Sequence, residues 1–446
     1  MAVLPPPGSR KSRKGLSADA LYQLVRNGFG GLADHRHPRA AIPLSDALSS
    51  ALAMFSLKDP SLLAFDARRN DQNMKTLFGI GQIPSDTQMR EILDPLNPAL
   101  LRPAFNDVFR ELQRGKALEQ FAFHRGCYLL ALDGTGYFSS NKVHCDACLE
   151  KKNKQTGEVT YQHQMLGAAL VHPGFKEVIP LAPEPIHKQD GTKKNDCERN
   201  AAKRLLRQIR KEHPRLRLIV VEDGLASNAP HVRELIDLKM HFILGVKPGD
   251  HQFLFERVHA AYEEDRVTTW SWTNEKGVKC ALAFFNGVPL NEANQDLRVN
   301  FLQYEEYAPD GHRQVYFTWI TDFEITRQNA PHLARGGRAR WKIENETFNT
   351  LKNQGYHFEH NYGHGKQYLS VVFAMLMMLA FLVDQVQQLC CPLFQAVWHK
   401  LGSKRALWDN LRSHFRHFVF TSMRHLYEVI LHDLGKEIPA PTFDTS

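Results

Sequence analysis

The chain has 446 residues, 43% of them hydrophobic, so it can form roughly two or three domains with buried cores. Its net charge of +8 and its 22 further histidines favour a polyanionic partner, and nucleic acid more than a membrane. Seven cysteines, an odd and small number for this length, argue against a disulfide-rich extracellular scaffold.

The N-terminus has no apolar segment followed by a cleavage site, which argues against a secretory signal. The longest apolar run, residues 371–383, is too short to span a bilayer and indicates a buried core helix. We therefore expect a soluble protein of the reducing cytoplasm, with no membrane partner.

Residues 1–16 contain three prolines and the basic residues Arg10, Lys11, Arg13 and Lys14. A segment of this composition cannot bury a core, and it predicts a flexible basic arm. The arm either contacts DNA phosphates or remains a solvated tail.

Residues 17–120 have the pattern of a helical region. The helix predicted after the N-cap Ser85 exposes Gln88 and Arg90, and it could read DNA as a helix-turn-helix module does. The alternative is an ordinary helical subdomain, and the pattern favours neither. Helices are predicted over residues 18–27 (with Ser17 as N-cap), 44–57, 86–93 and 102–118.

From residue 121 the pattern changes to short apolar runs rich in β-branched residues. The order strand, strand, strand, helix, strand, helix, strand predicts a mixed α/β sheet with buried central strands and helices on its faces. The predicted strands cover residues 127–134, 165–173, 177–186, 216–224 and 241–249, and the predicted helices cover residues 196–211 and 230–238.

Residues 250–325 predict an antiparallel β insertion. Strand-like segments cover residues 267–272, 279–285, 297–304 and 314–320, with turn signals between them. The aromatic residues Trp270, Trp272 and Trp319 are interpreted mainly as sheet packing, with stacking on a displaced base as the alternative. A buried helix over residues 367–389 and further helices to about residue 434 complete the chain.

Glu344 lies in a segment with helical periodicity. Trp341, Phe348 and Leu351 recur at helical spacing, and a rotation of about 100° per residue places Glu344 on the same apolar face. A carboxylate on a buried face needs a metal, a cation or a hydrogen-bond partner. The simplest interpretation is an ion pair with Arg340, one turn earlier.

Two aspartates, Asp133 and Asp223, are predicted at the ends of apolar strands, where α/β sheets place their ligands. Together with Glu344 they form a set of hard oxygen ligands suited to Mg²⁺ or Mn²⁺. Two ions held by such carboxylates support phosphoryl transfer. The alternative is that both aspartates only form turns before the glycines that follow them.

Three blocks around these acids resemble the DDE transposases of bacterial insertion sequences. The blocks are LALDGTGYFSS around Asp133, LIVVEDGLASN around Asp223 and RWKIENETFNTLKNQGYHFEHNYGHG around Glu344. The resemblance covers about residues 120–390 and is strongest in the last block. The last block is similar to the subgroup with a Tyr-x2-Arg-x3-Glu-x6-Lys signature, in which Arg340 and Glu344 match. Gly337 stands at the tyrosine position and Leu351 at the lysine position, and Lys352 follows one residue later.

The resemblance implies an RNase H-like catalytic domain interrupted by a β insertion. The implied organisation is a flexible basic arm (1–16), a helical N-terminal DNA-binding region (17–120), a catalytic core in two parts (121–249 and 326–390) around the β insertion (250–325), and C-terminal helices (391–446). It also implies that Asp133, Asp223 and Glu344 hold two Mg²⁺ or Mn²⁺ ions, with Arg340 near a terminal phosphate.

The implied partner is double-stranded DNA, namely the inverted repeats of the element and the target, bound by a homodimer in the bacterial cytoplasm at the nucleoid. The candidate DNA-binding residues of the last block are Arg338, Arg340, Lys342 and Lys352. The implied reaction is hydrolysis of a phosphodiester at the element end, followed by strand transfer of the cut-and-paste type.

A candidate zinc site begins with the C-x2-C pair Cys145 and Cys148, because such a pair is half of a structural site. The candidates for the second half are His163 and Cys197. The alternative is a pair of free thiols in a hairpin turn.

Two other functions are compatible with these motifs. One is a catalytically silent DNA-binding protein of transposon origin, against which the presence of all three acids counts. The other is a metal-dependent nuclease that cuts DNA but does not join it, which a strand-transfer assay would distinguish.

Overall fold

The computed structural model describes residues 14–37, 39–188 and 196–432. The predicted basic arm therefore lies almost entirely outside the described residues. The chain forms two compact units. We call the first the helical unit (Met1–Leu118, Tyr137–His163 and Asn349–Ser446) and the second the sheet unit (Glu119–Gly136 and Gln164–Phe348).

The described helices are α1 (Ala18–Gly30), α2 (Leu44–Leu57), α3 (Leu62–Asp66), α4 (Gln72–Phe78), α5 (Asp86–Leu93), α6 (Arg102–Arg114), α7 (Glu198–Glu212), α8 (Ala229–Asp237), α9 (Gln252–Glu263), α10 (Ala330–Arg338), α11 (Asn349–Asn353), α12 (Leu369–Cys390), α13 (Pro392–Leu401), α14 (Lys404–His417) and α15 (Met423–His432). A π-helical turn covers Ile343–Phe348. Single 3₁₀ turns cover Lys14–Leu16, Pro98–Leu101, Leu118–Phe121 and Gly224–Ala226.

The described strands are β1 (Ala122–His124), β2 (Cys127–Ser140), β3 (Leu149–Lys152), β4 (Val159–Val171), β5 (Ile179–Pro180), β6 (Glu184–Ile186), β7 (Leu218–Glu222), β8 (His241–Gly245), β9 (Thr268–Thr273), β10 (Lys279–Asn291), β11 (Asn294–Tyr307) and β12 (Arg313–Thr321).

The N-terminal helices begin where their caps predict. The Ser17 side chain accepts a hydrogen bond from the backbone N–H of Ala20. Ser85 and Gln88 form a reciprocal capping box at the start of α5, which fixes that helix start at the predicted residue. The Gln88 side chain is therefore used in the cap, and its carbonyl oxygen accepts from the backbone N–H of Ser85 at 3.0 Å.

Helix α12 is the central helix of the helical unit. By length and composition it is the one described helix that could cross a membrane, but its apolar window is fully buried within the protein. It packs against α2, α6 and α13, which is the behaviour of a core helix. The sequence predicted this buried helix to within two residues at its N-terminus.

A buried ion pair lies inside the helical unit between Lys58 and Asp384. Lys58 ends α2 in the left-handed region (φ 55°), and its ammonium lies 3.9 Å from the centre of the Trp408 ring. The Tyr356 hydroxyl donates to Asp384 at 2.5 Å. Both charges are thus enclosed by partners, which is the condition under which buried charges are tolerated.

The sheet unit is built on one continuous mixed sheet. Strand β2 pairs in parallel with β7, and β7 pairs in parallel with β8. Strand β12 then pairs antiparallel with β8, and β11, β10 and β9 follow in antiparallel order. The predicted β insertion therefore extends the central sheet, because β12 hydrogen-bonds to the edge that β8 would otherwise expose.

Several predicted boundaries differ from the observed ones. The strand predicted over residues 177–186 is two short strands, β5 and β6, because prolines at 180, 183 and 185 remove backbone donors. Helix α9 was not predicted and occupies the start of the predicted insertion. Trp319 is 4% exposed, so it packs in the sheet and cannot stack on a base.

Breaking the Lys58–Asp384 pair should destabilise the helical unit. We expect Lys58→Met alone to cost about 3–5 kcal/mol, because it leaves the Asp384 carboxylate buried without its cation. The double variant Lys58→Met/Asp384→Leu should cost clearly less than either single change. Thermal unfolding followed by circular dichroism measures this, and equal, additive losses would contradict it.

Candidate active site

Asp133 lies on β2, and Asp223 follows the neighbouring parallel strand β7. Both lie just beyond the carboxyl end of the β2–β7 pairing. Ala131 on β2 is paired with Val221 on β7, and each aspartate follows two residues later. Asp223 comes directly after β7, as predicted. Asp133 does not end its strand, because β2 continues to Ser140.

Both aspartates also make the turn contacts that the alternative interpretation assumed. Asp133 Oδ1 accepts from the backbone N–H of Gly134 at 3.0 Å. Asp223 Oδ1 accepts from the backbone N–H of Leu225 at 3.0 Å and caps the 3₁₀ turn that follows. One oxygen of each carboxylate is used in this way, which leaves the second oxygen of each for another partner.

Glu344 lies in the π-helical turn, and this changes the face on which it was predicted. Ile343 and Phe348 are buried, whereas Trp341 is 42% exposed and Glu344 is exposed. The expectation that Trp341 and Glu344 share a buried apolar face is therefore wrong. A π-helical turn closes its hydrogen bonds from i to i+5, so the rotation of about 100° per residue does not hold through it.

Arg340 makes an ion pair with Asp133, with Nη1 at 3.5 Å from Oδ2. Burial raises the pKa of the Asp133 carboxyl, the Arg340 guanidinium opposes that shift, and the carboxylates of Glu344 and Asp223 raise the pKa further. The charges of Glu344 and Asp223 therefore act on Asp133. Arg340 pairs with Asp133, and not with Glu344 as the sequence suggested.

A fourth acid, Glu198, belongs to the same group and was missed from the sequence. Burial raises the pKa of its carboxyl, and the charges of Asp133 and Asp223 raise it further. A Cβ at Gly134 would lie 2.1 Å from Glu198 Oε1, so the glycine leaves room for this carboxylate. The usable signal was the position of Glu198 in the first turn of a helix on the same α/β sheet.

Three of these acids line a cleft of about 260 Å³ in the sheet unit. Its walls include Asp133, Glu198 and Asp223, together with the pair of Glu222 and His231. His231 Nε2 lies 2.6 Å from Glu222 Oε2. Burial alone would lower the pKa of His231, but the Glu222 carboxylate outweighs it and the net shift is upward. The cleft thus places four carboxylates beside the basic side chains of Arg199, Lys203 and His231.

Three glycines allow the segment that carries Arg340 and Glu344 to approach the sheet closely. A Cβ at Gly336 would lie 2.7 Å from Phe123, and one at Gly337 would lie 2.5 Å from the indole of Trp319. A Cβ at Gly167 on β4 would lie 2.7 Å from Phe348. Gly337 occupies the tyrosine position of the signature, and Trp319 fills the space that such a tyrosine would need.

The other predicted DNA-binding residues lie in different surroundings. Lys342 is 6% exposed, and its Nζ donates to the carbonyl of Phe175, which leaves little of its side chain at the surface. Burial lowers the pKa of Lys342. Arg338 pairs with Glu306 at 2.6 Å and lies over the ring of Tyr304.

Lys352 belongs to the helical unit and pairs with Glu359 at 2.8 Å. The Glu359 carboxylate is exposed, and an ion pair of this kind contributes little to stability.

The predicted zinc ligands are only partly brought together. Cys145, Cys148 and His163 form one group in the helical unit, and its fourth member is His364. Cys197 is exposed and lines the acidic cleft of the sheet unit, so its assignment to this group is corrected. Among the described residues, the three acids do not form a group with ligand atoms as close together as these.

Residues 130–382 match the family model described as a transposase DDE domain. The match covers more than half of the 446 residues and includes Asp133, Asp223 and Glu344. A search of curated proteins finds no match.

Replacing Asp133 with asparagine should raise the melting temperature at neutral pH. The folded-state pKa of Asp133 is raised, so its ionisation costs stability above that pKa and costs nothing below the ordinary aspartate range. The difference between Asp133→Asn and wild type should therefore shrink as the pH falls. Differential scanning fluorimetry from acidic to neutral pH measures it.

Asp296→Asn is the matched control for this experiment. Its exposed carboxylate pairs with Arg233, which holds its pKa below the usual range, so the variant should gain nothing at neutral pH. A loss of stability in Asp133→Asn at neutral pH would contradict the repulsion among the acids.

Restoring the tyrosine of the signature should destabilise the sheet unit. Gly337→Tyr places a side chain where the Trp319 indole lies, and overpacking of this kind costs about 1–3 kcal/mol. Adding Trp319→Ala should recover part of that loss. Urea unfolding of the two variants measures both effects, and a neutral single variant would contradict the packing.

Proposed function

The chain belongs to the DDE-domain transposases, and on this premise we propose that it is the transposase of a bacterial DNA insertion sequence. It binds the inverted repeats of the element, hydrolyses a phosphodiester at each end and transfers the freed 3′-hydroxyl to target DNA. The observation that carries this proposal is the electrostatic interaction of Asp133 with Asp223, Glu344 and Arg340.

The sheet unit supports an RNase H-like assignment of the core. Its centre has parallel strands with buried apolar side chains, helices α7 and α8 follow β6 and β7, and the Glu344 turn comes after the antiparallel extension. This order agrees with a catalytic domain interrupted by β strands between its second and third acids.

The acid group fits a divalent cation such as Mg²⁺ or Mn²⁺. Carboxylate oxygens are the ligands that these ions prefer, and the repulsion that raises the pKa of Asp133 is the kind that a cation relieves. We propose that Asp133, Asp223 and Glu344 hold two such ions. When bound, the ions neutralise charge on the phosphate and polarise its oxygens.

Two further residues that interact with the acids supply binding and proton transfer. The Arg340 guanidinium favours the ionised form of Asp133 and offers further N–H donors to a phosphate oxygen. Glu198, whose pKa is raised, is the group that holds or accepts a proton at its carboxylate oxygens. Hydrolysis and strand transfer are both in-line displacements at phosphorus, so the same residues serve both steps.

DNA is the partner that the transposase domain implies, and the net charge of +8 supports affinity for its backbone. We propose that the helical N-terminal region takes part in end recognition and that two copies act together on the two ends of the element. We also propose that the protein works in the bacterial cytoplasm at the nucleoid. In α5, Arg90 is the exposed candidate contact, because Gln88 is used in the helix cap.

The decisive test is Mg²⁺- or Mn²⁺-dependent cleavage and strand transfer on DNA that carries the sequences flanking the coding frame. Glu344→Gln keeps the shape of the side chain and removes its charge. We expect activity to fall by more than the factor of about 10–100 seen when an outer-shell partner of a metal ligand is lost, with DNA binding retained.

Glu346→Gln is the matched control, because Glu346 lies in the same π-helical turn and is partly exposed. It should retain activity. Full activity of Glu344→Gln would remove Glu344 from the site.

Two other outcomes in the wild type would identify the competing functions. Cleavage without joining of pre-cut 3′ ends would identify a nuclease. Specific binding of the ends without any cleavage would identify a silent DNA-binding protein.

A further inference from the structure

We propose that Cys145, Cys148, His163 and His364 hold a structural zinc ion in the helical unit. The two cysteines precede β3, His163 lies on β4, and His364 lies in the segment between α11 and α12. The ligand atoms of all four residues lie within 4.8 Å of one another. The site therefore joins the hairpin of residues 137–163 to the segment of residues 354–368.

Four of the six separations among the ligand atoms agree with the edges of a zinc tetrahedron. With Zn–S bonds of about 2.3 Å and Zn–N bonds of about 2.0–2.1 Å, tetrahedral geometry separates two sulfurs by about 3.8 Å and a sulfur from a nitrogen by about 3.6 Å. The two Sγ atoms are 3.8 Å apart. His163 Nε2 lies 3.5 Å from each sulfur, and His364 Nε2 lies 3.4 Å from Cys148 Sγ.

All four side chains are buried, with exposures of 9% for Cys145, 1% for Cys148, 1% for His163 and 7% for His364. Four buried protein ligands describe a closed structural site, since a catalytic zinc keeps one position open. The sulfur separation is far longer than the S–S bond of about 2.05 Å in a disulfide. The geometry thus favours two thiolates on one cation.

The backbone on both sides of His364 is held in a conformation that directs its ring towards the two sulfurs. Gly363 and Gly365 flank it with φ values of 148° and 69°, which other residues rarely adopt. The Asp94 carboxylate accepts hydrogen bonds from the backbone N–H groups of residues 366–369 at 2.9–3.2 Å. Phe138 packs against the His364 ring with 4.4 Å between centroids.

The hairpin needs such an anchor because it has little core of its own. Strand β3 is four residues long, and its Lys151 and Lys152 are exposed, as is Lys154 in the turn that follows. Strand β3 stands at the end of the sheet order and pairs with β4, so it is held along one side only. The bound cation would hold the hairpin and its lysines in one conformation, since metal binding to a site of this kind contributes folding free energy.

The first experiment is the zinc content of the purified full-length chain, produced without a histidine tag and measured by plasma mass spectrometry. We expect one zinc per chain. Cys148→Ser and His364→Asn should each lower the content severalfold, whereas Cys197→Ser should retain it. Cys197→Ser is the matched control, because it removes the thiol that the sequence alone would have chosen as fourth ligand.

Cobalt replacement keeps the test decisive if the ligand variants fail to fold. Wild-type protein loaded with Co²⁺ should show the visible bands of a tetrahedral site with two thiolates, and Cys197→Ser should give the same spectrum. A wild-type chain that takes up neither metal, or a Cys145–Cys148 disulfide found by mass spectrometry, would overturn the proposal. Neither readout depends on DNA cleavage, so failure of the proposed function leaves the zinc assignment standing.

Discussion

The parallel pairing of β2 with β7 is the constraint on which the acidic cleft depends. It places Asp133 and Asp223 in register at one edge, each two residues beyond the pair Ala131 and Val221. A shift of one residue in this pairing would turn one aspartate to the other face of the sheet. Every residue of β7 is buried, and this burial fixes the register of the pairing. The hydrophobic core therefore determines where the two carboxylates lie.

The cleft gathers like charges in a partly buried place, and the surrounding chain limits the resulting repulsion. Arg340 pairs with Asp133, and the turn bonds at Gly134 and Leu225 satisfy one oxygen of each aspartate. Burial raises the pKa of Asp133 and of Glu198, and the neighbouring carboxylates raise it further. We therefore expect the uncharged variant of such a site to be more stable, and the site to favour a ligand that brings positive charge.

Local signals predicted most of the elements, and they placed Asp223 correctly at the end of its strand. The Ser85 cap, the short apolar strands and the apolar helix α12 depend on neighbouring residues, so the sequence shows them directly. The surroundings of Glu344 were wrong because helical periodicity assumes an α-helix and the segment forms a π-helical turn. Glu198 and His364 were missed, since tertiary contacts across many intervening residues bring them to their groups, and only Glu198 left a weak signal in its place at the start of a helix.

The division of the chain has a consequence for the order of folding during synthesis. Helices α1–α6 belong to the helical unit, but their central partner α12 is translated only after the whole sheet unit. The N-terminal helices therefore leave the ribosome without their core, while most of the sheet unit, residues 164–348, emerges as one uninterrupted segment. The sheet unit can reach its native pairing first, and the apolar faces of the early helices remain exposed to chaperones until residue 390 has been added.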